Sequence, residues 1–192
     1  MSPAMPDKPV KLALVGAGVI GRRHAEHIAA EPAAAFHAVV DPSPGARDVA
    51  AQYGVPYFES IAAMLAAHRP DGMVIATPNQ LHLAHGLEAI SAGIPALVEK
   101  PIADSVESGR KLVEAAERAG VHLLVGHHRR HNPLIRHAKS VIEAGKLGRI
   151  VSVHGFFWLK KPDDYFEIPW RRQLGAGPVL MNMIHDIDLM RY

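Results

Sequence analysis

Hydrophobic positions in the first 125 residues fall into short apolar runs that alternate with helical patterns. The runs have the length of strands, and the first suits a strand buried on both faces. They cover residues 12–15, 36–40, 55–58, 73–76, 95–98 and 121–125. The helical patterns between them cover residues 19–28, 46–53, 61–67, 81–92 and 105–119. This alternation predicts a parallel sheet with right-handed crossovers, in the strand order 3-2-1-4-5-6.

The pattern changes after Gly126. A polar break leads into a predicted helix from Pro133 to about Ala144. Residues 149–159 are rich in β-branched and aromatic side chains, which predicts one long strand of more antiparallel character. Residues 178–192 predict a final helix. We therefore predict a mobile tail at residues 1–9, a nucleotide-binding α/β domain at 10–127 and the start of a second domain at 128–192.

Three glycines follow the first predicted strand with the spacing G-x-G-x-x-G: Gly16, Gly18 and Gly21. In a dinucleotide fingerprint the first permits the tight turn, the second lets the pyrophosphate approach the backbone, and the third lets the helix pack against the sheet. An isolated motif of this kind would equally fit an ordinary glycine-rich turn. Here strand, glycines, helix, second strand and a terminal acid, Asp41, occur in order within one βαβ length, which predicts a dinucleotide site.

The residues around these glycines extend the predicted cofactor site. Val19 and Ile20 open the helix, whose N-terminal N–H groups and partial positive charge suit phosphate groups. Asp41, at the tip of the second strand, can accept hydrogen bonds from the adenosine ribose and would repel a 2′-phosphate. The sequence therefore predicts NAD rather than NADP as the cofactor, although Arg47, close to Asp41, argues for NADP.

The fourth and fifth predicted strands end in polar segments that should reach the same edge of the sheet. Ligands of such sheets bind outside the carboxyl ends of the strands. We therefore expect the following residues beside the cofactor: Thr77, Pro78, Asn79, His82, Glu99 and Lys100. The Lys100 ammonium can hydrogen-bond an alkoxide as it forms during hydride transfer, the alternative being a solvated surface lysine. For His82, the alternative to a place beside the cofactor is a structural role in packing.

The composition narrows the class of protein. The 192 residues carry a formal net charge of +2 without a long block of like charge, so neither nucleic acid nor a membrane is an expected partner. The absence of cysteine excludes disulfides, thiolate catalysis and cysteine zinc sites, and it fits the cytoplasm, where we expect the protein. The 13 histidines show no recognised ligand spacing with a carboxylate, so we predict no metal site.

Several motifs converge on one family. They are VGAGVIG at residues 15–21, ATPNQLH at 76–82, EKP at 99–101, GHHRRHNP at 126–133, WR at 170–171 and GAGPVLMNMIHDIDLMRY at 175–192. Jointly these motifs are specific, whereas EKP alone would not be. Over residues 11–192 the chain resembles the Gfo/Idh/MocA family of nicotinamide-dependent oxidoreductases.

The resemblance implies a Rossmann-type doubly wound parallel sheet and then an α+β domain with a mostly antiparallel sheet, through which we expect a homo-oligomer. It implies NAD-dependent oxidation or reduction of a small sugar, polyol, cyclitol or related compound. By the same likeness Lys100 and His185 are catalytic, with His185 as the acid/base; a structural core histidine is the alternative for His185. The remaining expected contacts are Trp170 and Arg171 with the cofactor, and His128, Arg129 and Asn182 with the substrate.

Two features limit that expectation. Many sugar dehydrogenases of the family have an aspartate where this chain has Met181, and a thioether cannot hold a proton or a pair of hydroxyls as a carboxylate does. The alternative is therefore a non-catalytic dinucleotide-binding or sensing protein.

In addition, a single strand at residues 150–159 cannot be stable alone. We therefore expect these 192 residues to be part of a longer enzyme, the alternative being a truncated product that buries the strand against another copy.

Overall fold

The computed structural model describes residues 8–173 and 176–192. The chain forms two compact units, one that ends at Val125 and one that begins at Gly126. Residues 1–7 of the predicted tail, and Gly175 at the start of the last motif, lie outside the described residues. Within the described ranges no helix is both long and apolar enough to cross a membrane.

The first unit contains the predicted alternation of strands and helices. Its strands are β1 (Val10–Val15), β2 (Ala34–Val40), β3 (Tyr57–Phe58), β4 (Gly72–Ile75), β5 (Ala96–Val98) and β6 (Leu123–Val125). Its helices are α1 (Val19–Ala30), α2 (Ala46–Gln52), α3 (Ile61–Ala67), α4 (His82–Ser91) and α5 (Val106–Ala119). A 3₁₀ turn at Asn79–Leu81 leads directly into α4.

The strands form one parallel sheet in the order β3-β2-β1-β4-β5-β6, which confirms the predicted order. After β3 the chain returns to the middle of the sheet and places β4 beside β1, so the direction of winding reverses between these two strands. Leu14 of β1 is accordingly level with Val39 of β2 on one side and Val74 of β4 on the other. This reversal opens a crevice at the carboxyl ends of β1 and β4, where such sheets bind ligands.

Alternate strand residues supply two separate cores. On one face Val15 and Ile75 pack with residues of α3, α4 and α5. On the other face Leu14 and Val74 pack with residues of α1 and α2. Because helices cover both faces, consecutive residues in the carboxyl half of β1 and throughout β4 are buried, which is why these runs are apolar rather than alternating.

The helix ends follow from local sequence. Ser60 and Ser105 cap α3 and α5, because each hydroxyl accepts a hydrogen bond from the backbone N–H three residues later. Gly120 ends α5 in the left-handed conformation, with φ at 62°. The absence of a side chain at Gly86 lets α4 approach α5 closely, since a Cβ there would lie 2.6 Å from Leu112.

The second unit is built around two helices, α6 (Pro133–Glu143) and α7 (Ile184–Arg191). Asn132 caps α6, and its Oδ1 accepts a hydrogen bond of 2.8 Å from the N–H of Leu134. The predicted last helix is divided, because a π-helical turn at Val179–Met183 precedes α7. Short 3₁₀ turns lie at His128–His131, Asp163–Glu167 and Pro169–Arg172.

The prediction of a strand at residues 149–159 was wrong for this structure. The segment has no strand partner among the described residues of the second unit, which contain no strand. Most of its side chains are exposed; Val151 is 84% and Trp158 is 87% exposed. An extended segment needs a neighbour to accept its backbone hydrogen bonds and cover its apolar side chains. The antiparallel sheet expected here is therefore not among the described residues.

Candidate cofactor and active site

The glycine turn after β1 is shaped by two positions that exclude any side chain. Gly16 has a φ of 94°, and a Cβ there would lie 2.8 Å from the backbone of Ala76 and Thr77, at the end of β4. A Cβ on Gly21 would lie 1.9 Å from the carbonyl oxygen of Gly16. Glycine at both positions therefore lets the turn approach β4 and lets α1 begin directly above the turn.

Gly18 differs from the other two glycines, because a Cβ there would meet nothing within 4 Å. Gly18 is the residue before α1, and the next two side chains are open to solvent, with Val19 69% and Ile20 48% exposed. The helix N-terminus has backbone N–H groups without a carbonyl partner inside the helix, and they carry partial positive charge. The space beside Gly18 is therefore open, next to donors of the kind that bind phosphate groups.

Asp41, at the tip of β2, is tied to this turn. Its Oδ2 accepts a hydrogen bond of 2.7 Å from the N–H of Ala17, and its Oδ1 accepts from the N–H and the hydroxyl of Ser43 at 2.8 and 2.5 Å. Asp41 is half-buried and held in one orientation at the crevice. Arg47 instead pairs with Glu59 at 3.2 Å on the surface.

Two histidines of α4 contact the segment that follows β4. The Thr77 hydroxyl lies 3.1 Å from Nδ1 of His85. His82 is 1% exposed, and its ring nitrogens lie 2.8 Å from the carbonyl oxygens of Thr77 and Pro101. Burial lowers the pKa of His82, and the two carbonyls oppose this shift only partly. The ring thus links the ends of β4 and β5, a placement that favours the packing alternative for His82.

Pro78 and Asn79 complete this segment. Pro78 is half-buried and precedes the 3₁₀ turn, and Asn79 is 6% exposed at its first position. Both residues follow β4 at the carboxyl edge of the sheet, beside the glycine turn. They therefore lie in the region where the sequence predicts the cofactor. Asn79 is buried, so it packs within this region.

Glu99, Lys100 and Pro101 follow β5 at the same edge. One carboxylate oxygen of Glu99 lies 2.8 Å from Nε2 of His24, and the other accepts a hydrogen bond of 3.0 Å from the backbone N–H of Lys100. Burial raises the pKa of Glu99, but the hydrogen bonds from His24 and Lys100 and their charges outweigh it, so the pKa is lowered overall. Lys100 itself is half-buried.

His24 is a residue that the sequence reasoning assigned no role in this site. It lies one helical turn after the glycine motif, next to the buried positions Gly21, Ala25 and Ile28 of α1. Helical spacing could have placed it at the border of the buried face, but its partner is 75 residues away. Only the strand order brings the two together.

In the second unit the polar break and α7 are joined by charged pairs. Arg129 donates a hydrogen bond of 2.8 Å to Asp186, and Arg130 donates two, of 2.8 and 2.5 Å, to Asp188. Asp188 is 7% exposed, and burial, which raises its pKa, is outweighed by the Arg130 hydrogen bond and nearby positive charges, so its pKa is lowered. The partners of both arginines were not predicted.

His185 is 8% exposed, and its ring lies edge-on to that of His128 with centroids 4.9 Å apart. Of the residues assigned to the substrate, His128, Arg129 and His185 are therefore neighbours. A cavity of about 700 Å³ is open beside them in the same unit. It is lined by His128, Arg129, His131, Asn132, Ile135, Asp186 and Leu189.

Asn182 and Met181 lie apart from that cluster, beside the 3₁₀ turn at Asp163–Glu167. The Asn182 Oδ1 accepts a hydrogen bond of 3.1 Å from Lys161, and the hydroxyl of Tyr165 lies 3.6 Å from the Met181 sulfur. These residues border a second cavity, of about 320 Å³. Met181 is thus packed against an aromatic residue, as a thioether prefers.

Arg171 is also held in this region. Its guanidinium donates a hydrogen bond of 2.8 Å to the carbonyl of Tyr165 and lies 4.1 Å from the centre of that ring. Trp170 is half-buried next to it.

Among residues 8–173 and 176–192 no three histidine, aspartate or glutamate side chains converge as metal ligands would.

Family models match both units. The model described as "Oxidoreductase family, NAD-binding Rossmann fold" matches residues 10–127, and that described as "GFO/IDH/MocA C-terminal domain" matches residues 135–192. The rhizopine catabolism protein MocA of Rhizobium meliloti is 34% identical over 183 residues, which are 95% of this chain and 56% of MocA. The chain thus spans about half the length of the curated relatives it matches.

Solved structures agree with these matches. The WlbA dehydrogenase of Bordetella pertussis, in complex with NADH and UDP-GlcNAcA, is 31% identical with a TM-score of 0.88, and the match covers 97% of this chain and 56% of that one. The scyllo-inositol dehydrogenase of Lactobacillus casei, with NAD(H) and scyllo-inositol, is 28% identical with a TM-score of 0.70, covering 73% and 43%. The chain therefore belongs to the Gfo/Idh/MocA oxidoreductase family, and its first unit is the NAD-binding Rossmann domain of that family.

Proposed function

We propose that the protein is an oxidoreductase that transfers a hydride between NAD(H) and a small sugar, polyol, cyclitol or related hydroxyl or carbonyl compound. One observation carries this proposal: an open space at the start of α1, a carboxylate at the tip of β2 and a lysine after β5 lie at the carboxyl edge of the same sheet. The space lies beside Gly18, the carboxylate is Asp41, and the lysine is Lys100. Hydride transfer needs a bound nicotinamide and a group that handles the hydroxyl proton.

The cofactor half of the proposal rests on the glycine turn and on Asp41. The N–H groups at the start of α1 would hold the pyrophosphate, with Gly18, Val19 and Ile20 lining the approach. Asp41 is already oriented by Ala17 and would accept hydrogen bonds from the adenosine ribose. Its negative charge would repel a 2′-phosphate, so we propose NAD(H) rather than NADP(H).

When bound, NAD supplies the hydride acceptor or donor. The side chain of Lys100 would donate a hydrogen bond to the substrate oxygen and stabilise negative charge on it as the proton leaves. The buried His82 lies within hydrogen-bonding distance of the carbonyls of Thr77 and Pro101, which supports a defined position for the backbone that carries Lys100. Support of this kind keeps a reacting group in its productive position.

The role of His185 is proposed from the family resemblance, which assigns this histidine to the acid/base step. Its own surroundings support a defined ring orientation, because the ring is buried against His128. Met181 stands where many sugar dehydrogenases of the family have an aspartate, and its sulfur lies 3.6 Å from the Tyr165 hydroxyl. This is the observation that favours the second candidate, a dinucleotide-binding protein without turnover.

The ligands of two related dehydrogenases support the substrate class. The WlbA dehydrogenase is described with a nucleotide sugar, and the Lactobacillus casei enzyme with a cyclitol. Both ligands carry several adjacent hydroxyl groups. We propose the same class for this protein, in the cytoplasm, with residues 10–127 as the cofactor domain and residues 128–192 as the start of the substrate domain. The exposed segment at residues 150–159 supports association of copies through that second domain.

Lys100→Met tests the chemistry. We expect the variant to lose most turnover of any polyol that the parent oxidises, while its affinity for NAD changes less than about twofold, because the side chain acts on the substrate oxygen. NADH formation is followed at 340 nm for a panel of polyols and sugars, and NAD affinity by calorimetry. Near-normal turnover in the variant would refute the role of Lys100. A parent that binds NAD but oxidises nothing would favour the sensing candidate.

Asp41→Ser tests the cofactor preference. The parent should bind NAD more tightly than NADP, and the variant should narrow that difference, because a carboxylate that repels the 2′-phosphate is removed. Both affinities are measured by the same calorimetric titration. Equal or tighter binding of NADP by the parent would contradict the proposal.

A further inference from the structure

The Glu99 carboxylate connects α1 to the backbone of Lys100. His24, in the second turn of α1, approaches one carboxylate oxygen at 2.8 Å, and the N–H of Lys100 donates to the other at 3.0 Å. Both side chains are largely removed from water, with His24 23% and Glu99 13% exposed. Each carboxylate oxygen thus has a partner on a different element of the fold.

This contact differs from an ordinary surface ion pair. Exposed pairs contribute little because water screens them, whereas a buried carboxylate is costly unless donors satisfy it. Two donors on opposite sides fix the plane of the carboxylate. Because one of the donors is the Lys100 N–H, the backbone at Lys100 is fixed as well.

We propose that His24 is a positioning residue for Lys100: through Glu99 it fixes the backbone from which the Lys100 side chain reaches the substrate oxygen. The inference rests on the proposed function of Lys100 and extends it to a residue in a different element. Neither His24 nor Glu99 touches the reacting atoms in this scheme. Glu99, which the sequence placed among the cofactor contacts, takes a supporting role instead.

The arrangement has a consequence for the pH dependence of the protein. His82 on α4, whose own pKa is lowered by burial, also interacts with Glu99. The groups that act on the pKa of Glu99 are His24 on α1, through its hydrogen bond and charge, and the adjacent Lys100, through its backbone N–H and its charge. The folded-state pKa of Glu99 is lowered because these interactions outweigh burial. Removing His24 leaves burial with less opposition, so Glu99 should become protonated at a higher pH. A protonated carboxyl is a weaker acceptor for the Lys100 N–H.

The test compares His24→Ala with His24→Gln, whose side-chain amide reaches about as far and still offers an N–H donor to Glu99. His27→Ala is the matched control, because His27 lies three residues later on α1 and is exposed. Two measurements do not depend on turnover: the carboxyl carbon signal of Glu99 during a pH titration, and the amide N–H signal of Lys100, both by NMR. Unfolding temperature is recorded to establish that each variant folds.

We expect His24→Ala to raise the titration midpoint of Glu99 and to shift the Lys100 amide signal, while His24→Gln and His27→Ala stay close to the parent. On a substrate that the parent turns over, kcat of His24→Ala should fall about tenfold, while KM for NAD stays nearly unchanged. The acid limb of its pH profile of kcat should move to higher pH. A folded His24→Ala with an unchanged Glu99 midpoint and an unchanged Lys100 signal would overturn the inference. Changed NMR signals with unchanged kcat would also overturn it. A parent without turnover would refute the proposed function, whereas the NMR signals would still decide the link from His24 to Lys100.

Discussion

The central strand β1 and the segment at residues 150–159 are similar in composition, but the carboxyl half of β1 is buried in a sheet and the segment is mostly exposed. Both are rich in aliphatic residues, yet Leu14 of β1 is fully buried while Leu159 is 57% exposed. Strand β1 has β2 and β4 as hydrogen-bonded neighbours and helices above and below it. The segment at 150–159 has none of these among the described residues. The same side chains form a strand only where neighbours complete it.

The comparison separates local preference from tertiary support. Valine, isoleucine and aromatic residues fit a pleated surface, but their preference for strands depends on packing against neighbours. In the first unit, β1 to β5 are each followed by a helix that packs on the sheet, so local pattern and final structure agree. In the second unit the pattern of residues 149–159 lacks such a partner, and the prediction of a strand failed there.

The largest expected contrast comes from one substitution made in both regions. Leu14→Ala should lower the free energy of unfolding by about 2–5 kcal/mol, because it leaves a cavity between two sheet neighbours and two helices. Leu159→Ala should change it by less than about 0.5 kcal/mol, because more than half of the residue is already exposed to water. Urea unfolding followed by circular dichroism measures both. Similar losses in the two variants would mean that residues 150–159 are buried in solution.

A smaller contrast lies inside the glycine turn. Gly21→Ala should destabilise the first unit by about 1–3 kcal/mol or more, because a Cβ would collide with the Gly16 carbonyl 1.9 Å away. Gly18→Ala has open space and should leave unfolding nearly unchanged, but it should weaken NAD binding about tenfold by occupying the pyrophosphate position. Thermal unfolding and NAD calorimetry are compared for both. Unchanged NAD affinity in Gly18→Ala would place the pyrophosphate elsewhere.

The same contrast explains what the sequence could and could not predict. The strand order, the glycine turn and the position of Asp41 followed from local patterns and from the rules of parallel sheets. The contact of His24 with Glu99 did not, because it joins side chains 75 residues apart whose meeting depends on the packing of α1. For the same reason, the pairing of Arg129 with Asp186 and of Arg130 with Asp188 was not visible in the sequence.

The smallest expected effect concerns charge in the second unit. Because the folded-state pKa of Asp188 is lowered, its stabilising contribution is fully present above the ordinary aspartate pKa, near 4, and is lost as pH falls through the lowered value. Asp188→Asn should therefore lower the unfolding temperature by a few degrees at pH 7, and this gap should narrow as the pH falls toward 3. Differential scanning calorimetry across this range measures the gap. A gap that is constant or widens with acid would contradict the assigned ionisation.

The central claim is that the carboxyl edge of the first sheet is the NAD site. Titration of NAD into the ¹⁵N-labelled 192-residue chain, followed by the backbone amide signals, tests it most directly. We predict saturation at one NAD per chain, with the largest shifts at Gly18, Val19, Asp41, Thr77 and Lys100. Absence of saturable binding, or saturation with the largest shifts away from this edge, would contradict the claim.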